Sequence, residues 1–160
     1  MAARVYVHIG LPKTATTYLQ TILWGAQAQL RADGVLLPGR SRRDHLWASR
    51  VVRQDSGPGQ REREEQAWAR LRDDLAGWSG TGLVSHEFFA AASAEQAAAM
   101  VAALAPAEVH LVVTAREPLG LFTASWQESL KNRGTATMAD YARTESADPG
   151  AIWNWRTLDL

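Results

Sequence analysis

Apolar residues along the chain follow two patterns, short continuous runs and longer stretches in which they recur with helical spacing. Short runs rich in Val, Ile and Leu are typical of buried strands, and the helical spacing is typical of amphipathic helices. The predicted strands cover residues 4–9, 35–38, 82–85 and 109–114. The predicted helices cover residues 14–32, 44–53, 62–78, 93–104 and 118–132, with short ones opening near Thr137 and Pro149. Because strands and helices alternate, we expect an α/β fold with a mainly parallel sheet.

Local signals at the helix ends refine this prediction. Ser93 with Gln96 predicts a capping box, and Thr137 with Asp140 predicts a second cap. Gly34 is a suitable stop for the first helix. That helix is expected to turn one apolar face inward. The residues of this face are Tyr18, Leu19, Ile22, Leu23, Ala26 and Leu30.

The length of 160 residues is that of one domain, and an apolar content of 46% is enough for a core. Near the end of the chain, Trp153, Trp155, Leu158 and Leu160 need a surface to pack against. We therefore expect a single α/β domain over residues 1–160 that is incomplete at its C-terminus.

The charge balance and the absence of cysteine restrict the classes of function. The chain has 17 basic and 17 acidic residues, which does not favour a nucleic-acid-binding or membrane-surface protein. Without cysteine it has neither disulfides nor thiolate metal ligands. No apolar run has the length of a signal peptide or a membrane span, so we expect a cytoplasmic protein, and the Ala- and Arg-rich composition suggests a bacterial one.

The most informative segment follows the first predicted strand. The apolar run stops at Gly10, and Leu11-Pro12-Lys13 leads into Thr14-Ala15-Thr16-Thr17 at a helix start. A loop between a strand and a helix N-terminus binds anions through its backbone N–H groups and the helix dipole. Lys13 is one of only two lysines in the chain, against fifteen arginines. A lysine here indicates that the position needs a compact charge on a flexible side chain, in place of the planar guanidinium of arginine.

This segment differs from the P-loop of NTPases, which binds a nucleotide together with Mg²⁺. That loop requires Gly-x-x-x-x-Gly-Lys-Ser/Thr, whereas Lys13 here follows Pro12. No acidic strand end offers a partner for Mg²⁺ either. We therefore expect a phosphate-like ligand and no metal.

The stretch His8-Ile9-Gly10-Leu11-Pro12-Lys13-Thr14-Ala15-Thr16-Thr17-Tyr18-Leu19-Gln20 closely resembles the 5′-phosphosulfate loop of sulfotransferases that use 3′-phosphoadenosine 5′-phosphosulfate (PAPS). The resemblance implies a three-layer α/β/α fold with a P-loop-like sulfotransferase core. It also implies that Lys13 neutralises the charge that develops on the leaving oxygen. The segment implied to bind the 5′-phosphate is Pro12, Lys13, Thr14, Ala15, Thr16 and Thr17.

A second segment resembles the 3′-phosphate element of the same family, again at the end of a strand. Val112-Val113-Thr114-Ala115-Arg116-Glu117-Pro118 is followed by Ser125-Trp126-Gln127. The resemblance implies that Arg116 and Ser125 bind the 3′-phosphate, with Thr123 as the alternative hydroxyl. The ligand after transfer would be 3′,5′-ADP, and the acceptor a small molecule, carbohydrate or lipid.

Two residues differ from the family pattern. Ala15 stands where the family usually has glycine, and its methyl group predicts a negative φ or a shifted loop. Ser125 lies one position beyond the usual serine, at which this chain has Ala124.

A general base for the acceptor proton is expected after the third strand, in Ser85-His86-Glu87-Phe88-Phe89. The segment is similar to the Ser-x-Glu of bacterial relatives, which makes Glu87 the first candidate and His86 the second. The alternative is that Glu87 only favours a helix start. His8 and His110 are interpreted as structural and His45 as exposed or on the substrate side.

Two other classes of function stay open. A kinase-like protein with a degenerate loop is one, although the missing Gly-Lys-Ser/Thr argues against it. A remnant of the sulfotransferase fold that binds a nucleotide or a partner without turnover is the other. The cluster Arg40, Arg42, Arg43, Arg50 and Arg53 is either a solvated face or a basic rim for an anionic acceptor. The sequence leaves the acceptor and the oligomeric state open.

Overall fold

The computed structural model of the chain describes residues 1–147, which form two compact units, 1–114 and 115 onward. The strands are β1 (Arg4–Gly10), β2 (Val35–Leu36), β3 (Thr81–Ser85) and β4 (Glu108–Val113). The helices of the first unit are α1 (Thr16–Gly25), α2 (Gln27–Ala32), α3 (Arg42–Val52), α4 (Arg61–Ala76), a 3₁₀ helix (Glu87–Ala91) and α5 (Ala94–Ala103). The second unit contains α6 (Pro118–Lys131) and α7 (Met138–Ala147).

The four strands form one sheet in the order β2-β3-β1-β4, and every pairing is parallel. Central β1 lies between β3 and β4, with Val7 opposite both Val84 and Leu111. The predicted α/β fold with a mainly parallel sheet is therefore confirmed, and it is compatible with three layers. Since the strands are parallel, the segments that follow β1, β3 and β4 meet at one edge of the sheet.

The core of the first unit lies on one face of this sheet. Val5, Val7 and Val84 are almost fully buried there and pack against helical side chains. The helical side chains of this cluster are Ala48, Val52, Leu71, Leu75, Phe89 and Met100. Burial of aliphatic side chains of this size is the main contribution to the stability of such a domain. The core thus fixes β1 and β3, the two strands that lead into the candidate site.

Helix α1 differs from its prediction in both rotation and length. Tyr18 and Ile22, expected on the inner face, are 71% and 48% exposed. The buried side chains of this helix are Thr16 and Gln20, one turn apart. The helix ends at Gly25, and α2 begins at Gln27. The prediction was wrong for Tyr18 and Ile22 because polar contacts at the sheet edge, described below, set the rotation of the helix. The other residues of the predicted face are half-buried, namely Leu19, Leu23, Ala26 and Leu30.

Other local predictions are confirmed. Ser93 accepts from the Gln96 N–H and Gln96 accepts from the Ser93 N–H, which is the predicted capping box. In the second unit, the Asp140 N–H donates to Thr137 Oγ1 at 3.2 Å. The helix expected near Pro149 and the apolar residues after it lie outside the described residues. Within residues 1–147, no helix has the length and apolarity needed to cross a bilayer.

A buried ion pair joins α3 to α4. Arg50 donates to Glu64 at 2.9 Å, and the Glu64 side chain is fully buried. Asp44 and Arg70 form a second pair between these helices at 3.2 Å. Arg53 also has a carboxylate partner, Asp55, at 3.1 Å. Two of the five clustered arginines are thus engaged in ion pairs within the protein.

We expect the Arg50→Met variant to lower the free energy of unfolding by about 3 kcal/mol, because it leaves the Glu64 carboxylate buried without its cation. Urea denaturation followed by circular dichroism measures this change. The double variant Arg50→Met/Glu64→Leu should recover most of the loss, since an apolar pair replaces the ion pair. A single variant as stable as the double one would contradict this account.

Candidate functional site

The loop from Gly10 to Thr16 has an alternating backbone conformation. Lys13 has φ 65° and Ala15 has φ 63°, while Thr14 between them keeps a negative φ. Alternation of this kind turns successive N–H groups toward one side and forms an anion-binding concavity. Helix α1 follows at once, and within the described chain no side chain caps it at Ala15. The first N–H groups of α1 are therefore available to an anion, as the sequence predicts for such a loop.

The conformation of Ala15 corrects one expectation. Its methyl group predicted a negative φ or a shifted loop, yet the residue is left-handed, at φ 63° and ψ 24°. For a residue with a Cβ atom this region costs about 1 kcal/mol or more. The loop thus keeps the backbone that glycine would adopt, at the expense of local strain.

Gly10 brings the turn after β3 against the loop. Its φ is 87°, and a Cβ atom built on it would lie 2.7 Å from Glu87 Cβ and 2.9 Å from Glu87 Cα. Only a residue without a side chain fits such an approach. As a result, Glu87 lies directly beside the first residue of the loop.

Gln20 holds the Glu87 carboxylate. Its Nε2 donates to Glu87 Oε2 at 3.0 Å, and Gln20 is 5% exposed. Thr16, one turn earlier, is also buried. Gln20 was not identified as a site residue from the sequence; the only signal was that this glutamine follows Thr16 by one helical turn.

His86 is neutral, and one of its ring nitrogens accepts a hydrogen bond from the backbone. Its Nδ1 accepts from the Phe88 N–H at 3.2 Å, so its Nε2 carries the ring proton. Burial lowers the pKa of His86 to about 4; the Glu87 carboxylate opposes this shift, and His45, Arg53 and Arg50 add to it. A neutral imidazole with this tautomer has no lone pair left for an acceptor proton. Of the two candidates for a general base, the geometry therefore favours Glu87.

His45 is buried, whereas the sequence indicated an exposed or substrate-side residue. Its Nε2 donates to the Pro38 carbonyl at 2.8 Å, and its Nδ1 accepts from the Ser85 N–H at 3.0 Å. The side chain is 0% exposed. The prediction failed because α3 packs against the end of β3, which places the imidazole between two backbone segments.

The Thr14 hydroxyl, predicted for the 5′-phosphate, is engaged within the protein. It donates to the Leu11 carbonyl at 2.5 Å and lies 2.6 Å from Thr114 Oγ1. The group of Thr14 that remains for an anion is its backbone N–H. Thr16 is buried at the start of α1, and Thr17 is exposed beside it. Pro12 is buried, and Lys13 is half-buried.

Arg116 and Ser125 belong to the second unit. Arg116 is exposed just before α6. Ser125 donates to the Leu121 carbonyl at 2.8 Å, and Thr123 donates to the Leu119 carbonyl at 2.9 Å. Both candidate hydroxyls are bonded to their own helix, and their assignment to a 3′-phosphate stays a prediction.

Comparison with known proteins finds no significant match among family models, curated proteins or solved structures.

We expect the Ala15→Gly variant to raise the free energy of unfolding by about 1 kcal/mol, because glycine adopts a positive φ without strain. The matched control is Ala98→Gly, at an exposed helical position of α5, which should lower stability by a similar amount. Thermal and urea unfolding measure both effects. Destabilisation by both variants would show that the left-handed alanine is not strained.

Acid is expected to destabilise the first unit through its buried histidines. Burial lowers the pKa of His8, His45 and His86 below the ordinary value of 6.5, so below that value the unfolded chain binds more protons than the folded one. Their contribution to stability is therefore complete above pH 6.5 and is lost as the pH falls below that value, for His86 down to about pH 4. For His86 alone this loss is about 3 kcal/mol. Urea titrations at several pH values give the free energy of unfolding as a function of pH. Between pH 6.5 and 4 this free energy should fall less steeply for His86→Gln than for the unaltered protein, and an equal fall would contradict the role of His86 in acid destabilisation.

Proposed function

We propose that this chain is a sulfotransferase that moves a sulfuryl group from PAPS to a hydroxyl or amine acceptor. The observation that carries the proposal is that the backbone of Glu87 lies against Gly10, the first residue of a lysine-containing loop, while Gln20 on the helix after this loop holds the Glu87 carboxylate. The two meet because Gly10 allows Glu87 to approach within contact distance. An anion site beside a general base is the arrangement that transfer of an anionic group to a hydroxyl requires.

The residues present fit the 5′ end of such a nucleotide. The alternating φ values of Lys13, Thr14 and Ala15 converge backbone N–H groups, and α1 starts without a capping side chain among the described residues. These N–H groups and the helix dipole would bind the 5′-phosphate. The Lys13 ammonium would stabilise negative charge on the leaving oxygen. Arg116 and Ser125 would bind the 3′-phosphate, as the sequence resemblance implies.

Bound PAPS would supply the sulfuryl group, whose bond to the 5′-phosphate oxygen breaks as the acceptor atom bonds to sulfur, leaving 3′,5′-ADP. The protein's own part is to position the reactants and to remove one proton. Glu87 Oε2 is oriented by the Gln20 amide, which fixes the plane of the carboxylate. The Glu87 carboxylate would accept the proton of the acceptor. His86 would stay neutral and hold the 3₁₀ turn through the Phe88 N–H.

Calorimetry with 3′,5′-ADP, ATP and Mg²⁺-ATP tests the choice of ligand. We expect tight binding of 3′,5′-ADP that does not depend on a metal and is weakened in Arg116→Ala. A preference for Mg²⁺-ATP would overturn the proposal in favour of a kinase-like protein. Binding of 3′,5′-ADP without transfer to any member of a panel of hydroxyl, amine and carbohydrate acceptors would indicate a binding module instead.

Substitution of Glu87 tests the chemistry. Glu87→Gln should lower turnover by about 100-fold or more, since it removes the proton acceptor, and should leave the affinity for 3′,5′-ADP nearly unchanged. Lys13→Ala should remove most of the sulfuryl-transfer activity. The matched control is Glu95→Gln, an exposed carboxylate in the first turn of α5, which should retain full activity. Equal activity of Glu87→Gln and the unaltered protein would remove Glu87 from the role of base.

A further inference from the structure

A continuous series of side-chain hydrogen bonds crosses the carboxyl edge of the sheet and ends in the anion-binding loop. Ser85 Oγ lies 2.8 Å from His8 Nδ1, and His8 Nε2 lies 3.1 Å from Thr114 Oγ1. Thr114 Oγ1 lies 2.6 Å from Thr14 Oγ1, which lies 2.5 Å from the Leu11 carbonyl oxygen. These residues come from the end of β3, from β1, from the residue after β4 and from the loop. We call this series the hydroxyl–imidazole relay.

The chemistry of its last member sets the direction of the whole relay. A carbonyl oxygen only accepts hydrogen bonds, so the Thr14 hydroxyl donates its single proton to the Leu11 carbonyl oxygen. Thr114 must then donate to Thr14, and the oxygen of Thr114 is left to accept from His8 Nε2–H. The four bonds thus require a proton on His8 Nε2, and in the neutral imidazole Nδ1 then accepts from Ser85.

The environment of His8 supports the neutral form. The residue is 2% exposed, and burial lowers its pKa, against the opposing field of the Glu87 carboxylate. Its backbone carbonyl accepts from the His86 N–H at 3.0 Å, so the imidazole stands on a strand held on that side by the segment after β3. The ring thus stands on a fixed backbone, and its lowered pKa favours the neutral form at neutral pH.

The relay reaches further into the loop than the backbone bonds between the loop and Thr114. The Leu11 N–H donates to the Thr114 carbonyl, and the Thr114 N–H donates to the Gly10 carbonyl, both at 2.7 Å. These bonds fix the start of the loop. Thr14 lies further along, between the two left-handed residues Lys13 and Ala15, and its inward hydroxyl is held by the relay. The conformation that converges the N–H groups therefore depends on where Thr14 is held.

We propose that His8 is a positioning residue for the anion-binding loop: through Thr114 it holds the Thr14 hydroxyl inward and so keeps the N–H groups of residues 13–17 directed at the anion. The identity of the anion rests on the proposed function, whereas the relay belongs to the free protein. A histidine that served only to fill the core would affect global stability and leave the order of the loop unchanged.

The test compares two substitutions at the middle of the relay. Thr114→Val keeps the shape and removes the hydroxyl, while Thr114→Ser keeps the hydroxyl and removes a methyl group. We expect Thr114→Val to shift the backbone amide signals of residues 13–17 in the free protein and to weaken 3′,5′-ADP binding about tenfold. Thr114→Ser should restore both to near the values of the unaltered protein. In the latter, nitrogen NMR of His8 at neutral pH should show a proton on Nε2 and none on Nδ1.

The outcomes separate this inference from the proposed function. A His8 that is protonated on Nδ1, or loop amides that do not respond to Thr114→Val, would overturn the positioning role. The unaltered protein could also fail to bind 3′,5′-ADP while the His8 tautomer and the amide shifts are as expected. That result would overturn the proposed ligand and would support the positioning role of His8. The tautomer measurement uses no variant, so a substitution that prevents folding does not remove the test.

Discussion

The contact between Gly10 and Glu87 is the constraint on which the rest of the site depends. A parallel sheet already brings the ends of β1 and β3 side by side, but side chains at both ends would keep the two segments apart. Because Gly10 has no Cβ atom, the backbone of Glu87 lies against it, and Gln20 on α1 then reaches the Glu87 carboxylate. One missing side chain thus joins the loop, the helix and the turn after β3.

The same contact explains the polar inner side of α1. A helix that follows such a loop cannot rotate freely, since its first turn must present N–H groups at the sheet edge. This requirement places Thr16 and Gln20 inward and leaves Tyr18 and Ile22 in solvent. The helix therefore buries less apolar surface than its composition allows. The core is supplied instead by α3, α4 and α5 on the face that carries Val5, Val7 and Val84.

The sequence predicted the strands and most helices, because each depends on a local pattern. The run at β1, the capping box at Ser93 and the cap at Thr137 all follow from neighbours within a few residues. It did not predict the rotation of α1, the burial of His45 or the left-handed Ala15, since each is imposed by groups distant along the chain or by the loop as a whole. The position of Glu87 beside the loop needed the sheet order, which no local pattern encodes. The roles of Lys13, Arg116 and Ser125 stay predictions.

The hydrogen bonds of His8 join residues 77 and 106 positions away along the chain. Contacts of such separation need the intervening segments in their folded places, and closing loops of this length costs chain entropy. The anion-binding loop can then be complete only after β3 and β4 have joined β1, and no short piece of the chain contains it. Ligand binding at this loop would consequently be coupled to assembly of the entire first unit.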